Sequence, residues 1–428
     1  MFGVPGDYVL PFFDEVVRSD LELVVTCNEL NAGYAADGYA RLRGVGAVAV
    51  TYDVGGFSLL NAVAGANAER VPLIVVSGAP RTTTAAGSRV LHHSTGDLDV
   101  QYRVYREVTA AAVQLTDAAA APRLIDEAVA ACLRERRPCY IEVPLDVAGQ
   151  QCAPPGDLAS AGTCATDAAA LGEAVAATAE LIAASAAERR GSGDLRAYDQ
   201  VPLGEFLRAL YAATPAGAGA PGPAAAVSRA AAPAAPAPPD PDRPVTVSRF
   251  YERMRSFIEP GCLVLADGGD SLLSASDLPM PEYATFLAQA FYASIGWTVP
   301  ATLGALCAEP GRPTVTFVGD GAFQMTAQEL STIARRGQAP VMFVADNAGY
   351  VIERLIHDGP YNDINPWEYA HFAAVVGGPP GLVVETEGAL ERALARVSAR
   401  PGELHLVQVK LARDDASATL RRFGAAGQ

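Results

Sequence analysis

Two blocks of the chain alternate short apolar segments with helical ones, and a stretch dominated by proline, alanine and glycine separates the two blocks. In the first block, residues 1–150, the apolar segments are nearly continuous, as is typical of strands buried on both faces of a parallel sheet. We predict strands at 46–54, 72–80 and 139–147, and helices at 28–42 and 121–135. Strand and helix therefore alternate as they do in an α/β domain.

The second block, residues 245–428, repeats this pattern. Here we predict a helix at 325–336 and strands at 262–269, 314–321, 340–347 and 404–411. The fold class that follows is α/β, with two domains that each hold a parallel sheet flanked by helices.

The segment between the two blocks offers much less structure. Residues 151–214 form a reduced middle segment, in which we predict helices at 167–190 and 204–214. Residues 215–244 are almost wholly proline, alanine and glycine. Because proline fixes φ and removes a backbone donor, we expect an extended and partly stiff linker here.

Charge and cysteine content exclude several classes of protein. The chain has 32 Lys and Arg against 48 Asp and Glu, a formal net charge of -16. Such an anion repels phosphate backbones, so we expect no nucleic-acid partner.

Seven scattered cysteines do not form a disulfide framework. Neither a signal peptide nor a membrane span of about 18 apolar residues is visible. We therefore expect a cytoplasmic protein without membrane association.

The strongest local signal is Gly319-Asp320-Gly321, which follows an apolar strand and precedes a helix. The glycines let a phosphate approach the backbone, and the aspartate offers a hard oxygen ligand to a divalent cation. Alone, this motif also fits an ordinary turn. However, Asn347 ends the next strand, so its side chain and that of Asp320 could share one Mg²⁺. The backbone carbonyl of Gly349 could be a third ligand.

Residues 319–353, GDGAFQMTAQELSTIARRGQAPVMFVADNAGYVIE, resemble the thiamine-diphosphate signature of the pyruvate and indolepyruvate decarboxylases. This resemblance implies thiamine diphosphate and Mg²⁺ as cofactors. It makes Asp320, Asn347 and the carbonyl of Gly349 the metal ligands, and it places near the diphosphate Gly319, Gly321 and Ala322. The family's signature ends in an asparagine pair, of which the first position is Asp346 here.

The same resemblance identifies the residues expected around the rest of the cofactor. Glu29 matches the glutamate that shares a proton with the aminopyrimidine ring, although by spacing alone it could equally be a helix-entry acid beside a capping Asn28. Ile295 matches the apolar residue that wedges between the two cofactor rings, and would otherwise be a core residue. Ala293 stands where relatives generally have a glycine whose carbonyl contacts the cofactor amino group.

Four further residues match the acid–base groups of the family: Asp7, His92, His93 and Glu353. Taken singly, they could be a turn acid, two solvated histidines and an exposed helix glutamate. Together they bring two carboxyls and two imidazoles to one reacting carbon, which permits proton delivery near neutral pH. The resemblance implies that Glu353 positions the substrate carboxylate, and that His92, His93 and Asp7 relay protons during aldehyde formation.

The resemblance also suggests which residues shape the substrate pocket. Ile352 and Ile356 look like pocket walls of pyruvate-selective members. Tyr292 and Phe423 fall where a pyruvate decarboxylase tends to carry larger tryptophans, which suggests a slightly wider pocket. Because one methylene changes discrimination by only about 1–3 kcal/mol, pyruvate, phenylpyruvate and indolepyruvate all remain candidate substrates.

The leading functional hypothesis is decarboxylation of a 2-oxo acid to an aldehyde and carbon dioxide by a carboxy-lyase. Two alternatives remain open, carboligation and a catalytically silent truncated paralogue. The hypothesis of a silent paralogue is favoured by two departures from the family that the chain resembles. The middle segment is short, and the chain starts at the GVPGD strand without the helix that precedes this strand in relatives. This start could also reflect a start codon assigned too late. The resemblance implies a homodimer or tetramer whose sites lie between subunits.

Overall fold

The computed structural model describes residues 1–84, 91–156, 158, 168–185 and 237–426. These residues form two six-stranded sheets, and every strand pair within them is parallel. The predicted α/β fold class is therefore confirmed. The predicted helix at 204–214 and most of the predicted linker at 215–244 lie outside the described residues.

The N-terminal domain is built on a sheet with strand order β2-β1-β3-β4-β6-β5. Its strands are β1 Phe2–Gly3, β2 Val24–Val25, β3 Gly46–Val50, β4 Leu73–Ala79, β5 Ala111–Gln114 and β6 Cys139–Pro144. Its helices are α1 Leu10–Arg18, α2 Glu29–Arg43, α3 Val54–Ala68, α4 Val100–Glu107 and α5 Ala121–Glu135. The central strands are buried on both faces, as their apolar sequences predict.

A further helix, α6 Ala168–Ser185, lies within the predicted helix at 167–190, whose last residues are outside the described part. In the part of the chain that the structure describes, no helix is both long and apolar enough to cross a membrane.

The C-terminal domain is built on a sheet with strand order β11-β12-β10-β9-β7-β8. Its strands are β7 Leu263–Ala266, β8 Thr285–Leu287, β9 Thr314–Gly319, β10 Val341–Asp346, β11 Leu382–Val384 and β12 His405–Lys410. Its helices are α7 Val247–Phe257, α8 Asp270–Ser276, α9 Thr298–Ala308, α10 Asp320–Thr326, α11 Leu330–Arg335, α12 Val351–Ile356, α13 Tyr369–Val375, α14 Glu387–Ser398 and α15 Ala418–Ala426. Short 3₁₀ turns span Ala327–Glu329 and Pro360–Asn362.

Helices α2 and α9 join the two domains in close contact. A Cβ at Gly38 of α2 would clash with the backbone of Ala301, and a Cβ at Gly304 of α9 would clash with the carbonyl of Ala35. Both glycines are therefore needed for the approach of the two backbones. At one end of this contact the fully buried Trp297 donates from Nε1 to the Asp37 carboxylate at 3.0 Å.

Several predicted elements are interrupted or shorter in the structure, and the strands predicted at 139–147 and 262–269, for example, end at Pro144 and Ala266. The helix predicted at 325–336 is interrupted, because α10 ends at Thr326 and α11 begins only after a 3₁₀ turn. Tertiary contacts explain the break: the Thr326 hydroxyl donates to the carbonyl of Gly296, and the Glu329 carboxylate accepts from the Cys27 N–H and the Asn31 amide of the N-terminal domain. The strand predicted at 46–54 ends at Val50, since α3 begins at Val54.

Candidate active site

A cavity of about 210 Å³ opens where β7, β9 and β10 end at the same edge of the C-terminal sheet. Ligands of open α/β sheets gather at this edge. The cavity is lined by Gly268, Gly269, Asp270, Ser271, Ala293, Ile295, Gly319, Asp320, Gly321, Ala322, Ala345, Asn347, Gly349, Tyr350, Val351, Ile352 and Glu353. The lining contains every residue predicted to bind the diphosphate or the metal, although these residues come from separate parts of the chain.

Asp320 lies at the start of α10 and is only 1% exposed. Its Oδ2 accepts hydrogen bonds from the backbone N–H groups of Asn347 and Gly349, both at 3.1 Å, and its Oδ1 accepts from the N–H of Gly321 at 2.7 Å. Burial raises the pKa of Asp320 to about 6, and the charge of Asp346 adds to this rise. The fold thus holds a carboxylate that is costly to ionise unless a cation is near it.

Asn347 supplies a second oxygen to the same cavity. Its side chain is buried, and Oδ1 has no hydrogen-bond partner among the described residues. A buried polar atom without a partner is costly, so its presence fits a missing ligand. Gly349 completes the loop with a φ of 146°, and a Cβ there would clash with the carbonyl of Asn362. A carboxylate and an amide oxygen suit Mg²⁺, so these residues fit the predicted metal.

Ile295 and Ala293 also line the cavity. A Cβ at Gly268 would lie 3.3 Å from Cγ2 of Ile295, so the glycine brings the backbone close to this side chain. Ala293 has a φ of 54°, in the left-handed region that favours glycine. This conformation suits the glycine that the resemblance implies for relatives at this position.

Glu29 is the first residue of α2, and the predicted cap is present: the Asn31 N–H donates to the Asn28 side chain at 2.8 Å. Glu29 is half-buried beside α3, where a Cβ at Gly55 would lie 3.4 Å from its Oε1. It is not among the residues that line the C-terminal cavity. Among the described residues, the N-terminal domain contributes nothing to that lining.

The structure does bring Asp7, His92 and His93 together. The Nε2 atom of His92 lies 2.6 Å from Asp7 Oδ2, and Nε2 of His93 lies 3.8 Å from Asp7 Oδ1. Tyr8 stacks on the His92 ring, and its hydroxyl donates to the His92 carbonyl. The three side chains remain partly exposed, so they can meet a group from outside the N-terminal domain. Like Glu29, they are not part of the cavity lining.

The sequence matches the N-terminal domain of thiamine pyrophosphate enzymes over residues 1–102 and their C-terminal domain over residues 267–409. An alpha-keto-acid decarboxylase of Mycobacterium tuberculosis is 34% identical, over 96% of this chain and 91% of that protein. Pyruvate decarboxylase 1 of Zea mays is 30% identical, over 99% of this chain and 87% of that protein. The chain belongs to the thiamine-diphosphate-dependent 2-oxo acid decarboxylases.

The predicted family is therefore confirmed, and the protein is an enzyme of the carboxy-lyase class. The alignment with the mycobacterial relative runs over 514 positions, more than the 428 residues of this decarboxylase. That relative thus carries stretches that this chain lacks.

The predicted pocket residues of this decarboxylase lie in different places. Ile352 and Glu353 line the cavity, on α12. Ile356 is 40% exposed and is not part of the described lining. Tyr292 also lies outside it, and its hydroxyl bonds to Asn61 of the N-terminal domain at 3.0 Å.

Seven lining residues were missed by the sequence analysis, and four of them are consecutive: Gly268, Gly269, Asp270 and Ser271. The sequence did contain a signal for these residues. Two glycines follow the apolar strand β7, just as Gly319 and Gly321 stand at the end of the apolar strand β9. Asp267 was missed as well. It is buried and accepts from the N–H groups of Gly296 and Thr298, so it fixes the backbone on the far side of Ile295. Burial raises the pKa of Asp267.

Proposed function

We propose that this decarboxylase uses Mg²⁺ and thiamine diphosphate to convert a 2-oxo acid of the pyruvate, phenylpyruvate or indolepyruvate type into an aldehyde and carbon dioxide without oxidation. The observation that carries this proposal is the pairing of the buried Asp320 carboxylate with the unpartnered Oδ1 of Asn347 in one cavity. A carboxylate oxygen and an amide oxygen in one cavity form a pair of ligands suited to a hard cation such as Mg²⁺.

In the proposed site, Asp320, Asn347 and the carbonyl of Gly349 would hold Mg²⁺ together with the diphosphate end of the cofactor. The backbone around Gly319, Gly321 and Ala322 offers little steric hindrance to the phosphate oxygens. Bound thiamine diphosphate supplies a carbon nucleophile and accepts the electron pair that is released when carbon dioxide departs. Ile295 and the carbonyl of Ala293, which line the same cavity, would contact the cofactor rings and fix their orientation.

Glu29 has the role of holding a proton at the aminopyrimidine nitrogen. Because the described lining of the cavity contains no residue of the N-terminal domain, we assign this carboxyl to the cavity of a second copy. The smallest active unit is then a homodimer with two equivalent sites, and pairing of dimers into tetramers is compatible with it. A partner copy would also bring the Asp7, His92 and His93 cluster to the cavity mouth.

The acid–base roles follow from this arrangement. The contact of 2.6 Å between His92 and Asp7 orients the imidazole, and His93 lies beside the same carboxylate. These groups would donate and accept protons during formation of the aldehyde product. Glu353, which is exposed on α12 at the cavity wall, positions the substrate carboxylate for its loss. Ile352 beside it limits the substrate side chain.

The six described cysteines are free thiols, which suits a reducing compartment, and we place the enzyme in the cytoplasm. The net charge of -16 supports a small-molecule substrate and no nucleic-acid partner.

The test is incubation of the full chain with Mg²⁺, thiamine diphosphate and, in turn, pyruvate, phenylpyruvate and indolepyruvate. We expect carbon dioxide and the matching aldehyde from at least one of them. Glu29→Gln should abolish turnover but change the affinity for Mg²⁺ and thiamine diphosphate by only a small factor. Absence of turnover with every 2-oxo acid would favour a silent paralogue, and a fully active Glu29→Gln variant would refute the assigned role of Glu29.

A further inference from the structure

Arg354 lies on α12, directly after Glu353, and is only 7% exposed. Its guanidinium makes four hydrogen bonds. Nη1 donates to the carbonyls of Asn347 at 3.1 Å and Arg413 at 2.8 Å. Nη2 donates to the carbonyl of Ala348 and to the Asp363 carboxylate, both at 2.7 Å. Two consecutive carbonyls of the loop that carries Asn347 and Gly349 are therefore held by one side chain.

We propose that Arg354 is a positioning residue that sets the Mg²⁺ affinity of the site by clamping the loop at residues 347–349. This inference rests on the proposed function, since it assumes that this loop ligates Mg²⁺. Arg354 does not line the cavity, and the sequence analysis gave it no role in retaining the metal.

The loop needs a clamp because its backbone is strained. Ala348 has a φ of 57°, and Gly349 has a φ of 146°. Left-handed backbone is unfavourable at a residue with a Cβ and persists only where the surroundings enforce it. Asp320 holds the loop from the cavity side through the N–H groups of Asn347 and Gly349. Arg354 holds the loop through the carbonyls of Asn347 and Ala348, and the Ala348 carbonyl belongs to the same peptide as the Gly349 N–H.

The Asp363 carboxylate fixes the position of the Arg354 guanidinium. Asp363 Oδ1 accepts from Arg354 and also from Nη2 of Arg413 at 3.0 Å, and Asp363 forms an isolated antiparallel bridge with Gly349. A planar guanidinium can reach these acceptors from one fixed position, which a lysine ammonium on a flexible stem cannot. Hydrogen bonds from Arg354, together with those from Arg413, lower the pKa of Asp363, so this anchor is charged near neutral pH.

The clamp should affect metal binding rather than contact with the substrate. Arg354 does not line the cavity, whereas its neighbours Val351, Ile352 and Glu353 do. Partners that orient a metal ligand without touching the metal typically change metal affinity by about 10–100-fold when they are substituted. We therefore expect Arg354→Lys to raise the Mg²⁺ concentration for half-saturation about tenfold, and Arg354→Met to raise it further.

The test is calorimetric titration of the full chain with thiamine diphosphate across a series of Mg²⁺ concentrations, which needs no turnover. Arg253→Lys is the matched control, because Arg253 makes a two-point contact with Glu391 in the same domain and neither residue lines the cavity. For this control we expect half-saturation within about twofold of wild type. Excess Mg²⁺ should restore thiamine diphosphate binding to Arg354→Lys, which a general loss of folded protein would not allow.

If Arg354→Met fails to fold, Arg354→Lys decides the matter. An unchanged Mg²⁺ requirement in folded Arg354→Lys would overturn the proposal, even if its melting temperature without cofactor falls. Failure of wild type to bind thiamine diphosphate at any Mg²⁺ concentration would instead overturn the proposed function itself, so the two failures are distinct.

Discussion

The backbone N–H of Asn347 donates to the Asp320 carboxylate at 3.1 Å, so two residues that are 27 positions apart in sequence meet at the ends of adjacent strands. The parallel pairing of β9 and β10 enforces this contact, since it brings both carboxyl ends to one edge of the sheet. The metal site thus depends on strand register as much as on residue type.

The first prediction concerns the pH dependence of metal binding at Asp320. Burial raises the pKa of this carboxyl to about 6 in the cofactor-free chain, and Mg²⁺ binds the ionised form. Affinity for Mg²⁺ should therefore fall as the pH drops below about 6, and binding there should release a proton, which calorimetry in buffers of different ionisation enthalpy would detect. Asp320→Asn should lose the rise in melting temperature that Mg²⁺ and thiamine diphosphate give the wild type.

Asp346→Asn sharpens this test. It restores the asparagine pair of the family and removes the charge that helps to raise the pKa of Asp320. The pH midpoint of Mg²⁺ binding should then shift downward. An unchanged midpoint would mean that Asp346 does not influence the site through its charge.

The second prediction concerns Glu142 in the N-terminal domain. This carboxyl is buried and accepts from Tyr140 and Gln114, yet burial raises its pKa from 4.5 to about 6. A folded-state pKa above the unfolded value means that ionisation destabilises the fold, so stability falls as the pH rises from 4.5 through 6. The cost at pH 7 is about 2 kcal/mol.

Melting temperatures of wild type and Glu142→Gln, compared below pH 4.5 and at pH 7, would measure this cost. The variant should gain on the wild type as the pH rises, whatever its offset from lost hydrogen bonds. Glu127→Gln is the control, since Glu127 is exposed and pairs with Arg123 on the same helix. A constant difference between wild type and Glu142→Gln across this range would refute the prediction.

The third prediction concerns the left-handed backbone at Ala293, where φ is 54°. Ala293→Gly removes a strain of about 1–2 kcal/mol, partly offset by about 0.4–1 kcal/mol of added freedom in the unfolded chain. The melting temperature should stay level or rise. In contrast, Ala395→Gly on the exposed face of α14 should cost about 0.5–1 kcal/mol, and equal losses in both variants would contradict our interpretation.

The fourth prediction concerns the histidine cluster. His92→Ala and Asp7→Asn each remove one partner of the 2.6 Å contact, so turnover should fall about 10²–10⁴-fold. Binding of Mg²⁺ and thiamine diphosphate should persist, because neither residue lines the cavity. Steady-state rates together with calorimetry separate the two effects. Full turnover in both variants would remove this cluster from the mechanism.

Sequence reasoning found most of this architecture because both domains rely on local signals. The helices predicted at 28–42 and 121–135 match α2 and α5 closely, since α2 begins after the capping Asn28 and α5 carries Pro122 in its first turn. The break after α10 could not be predicted, because it depends on contacts of Thr326 and Glu329 with residues far away in sequence. No motif within 325–336 signals these partners.

The residues of the site divide in the same way, into those that local sequence reveals and those that depend on distant contacts. Asp320 and Asn347 were found because strand ends are readable in sequence, whereas Asp267 was missed because its partners, Gly296 and Thr298, are reached only through the fold. The clamp at Arg354 was missed for the same reason. Its acceptors are backbone carbonyls, which leave no trace in residue type.

The central claim is that Glu29 of one copy and the Asp320–Asn347 cavity of another bind the same cofactor molecule. Co-expression of the Glu29→Gln and Asp320→Ala variants tests this claim most directly. Each variant alone should be inactive. In a mixed dimer one site would carry both defects and the other none, so random pairing should restore about one quarter of wild-type turnover. Recovery near that value is the predicted result, and mixed dimers that remain as inactive as the separate variants would contradict the claim.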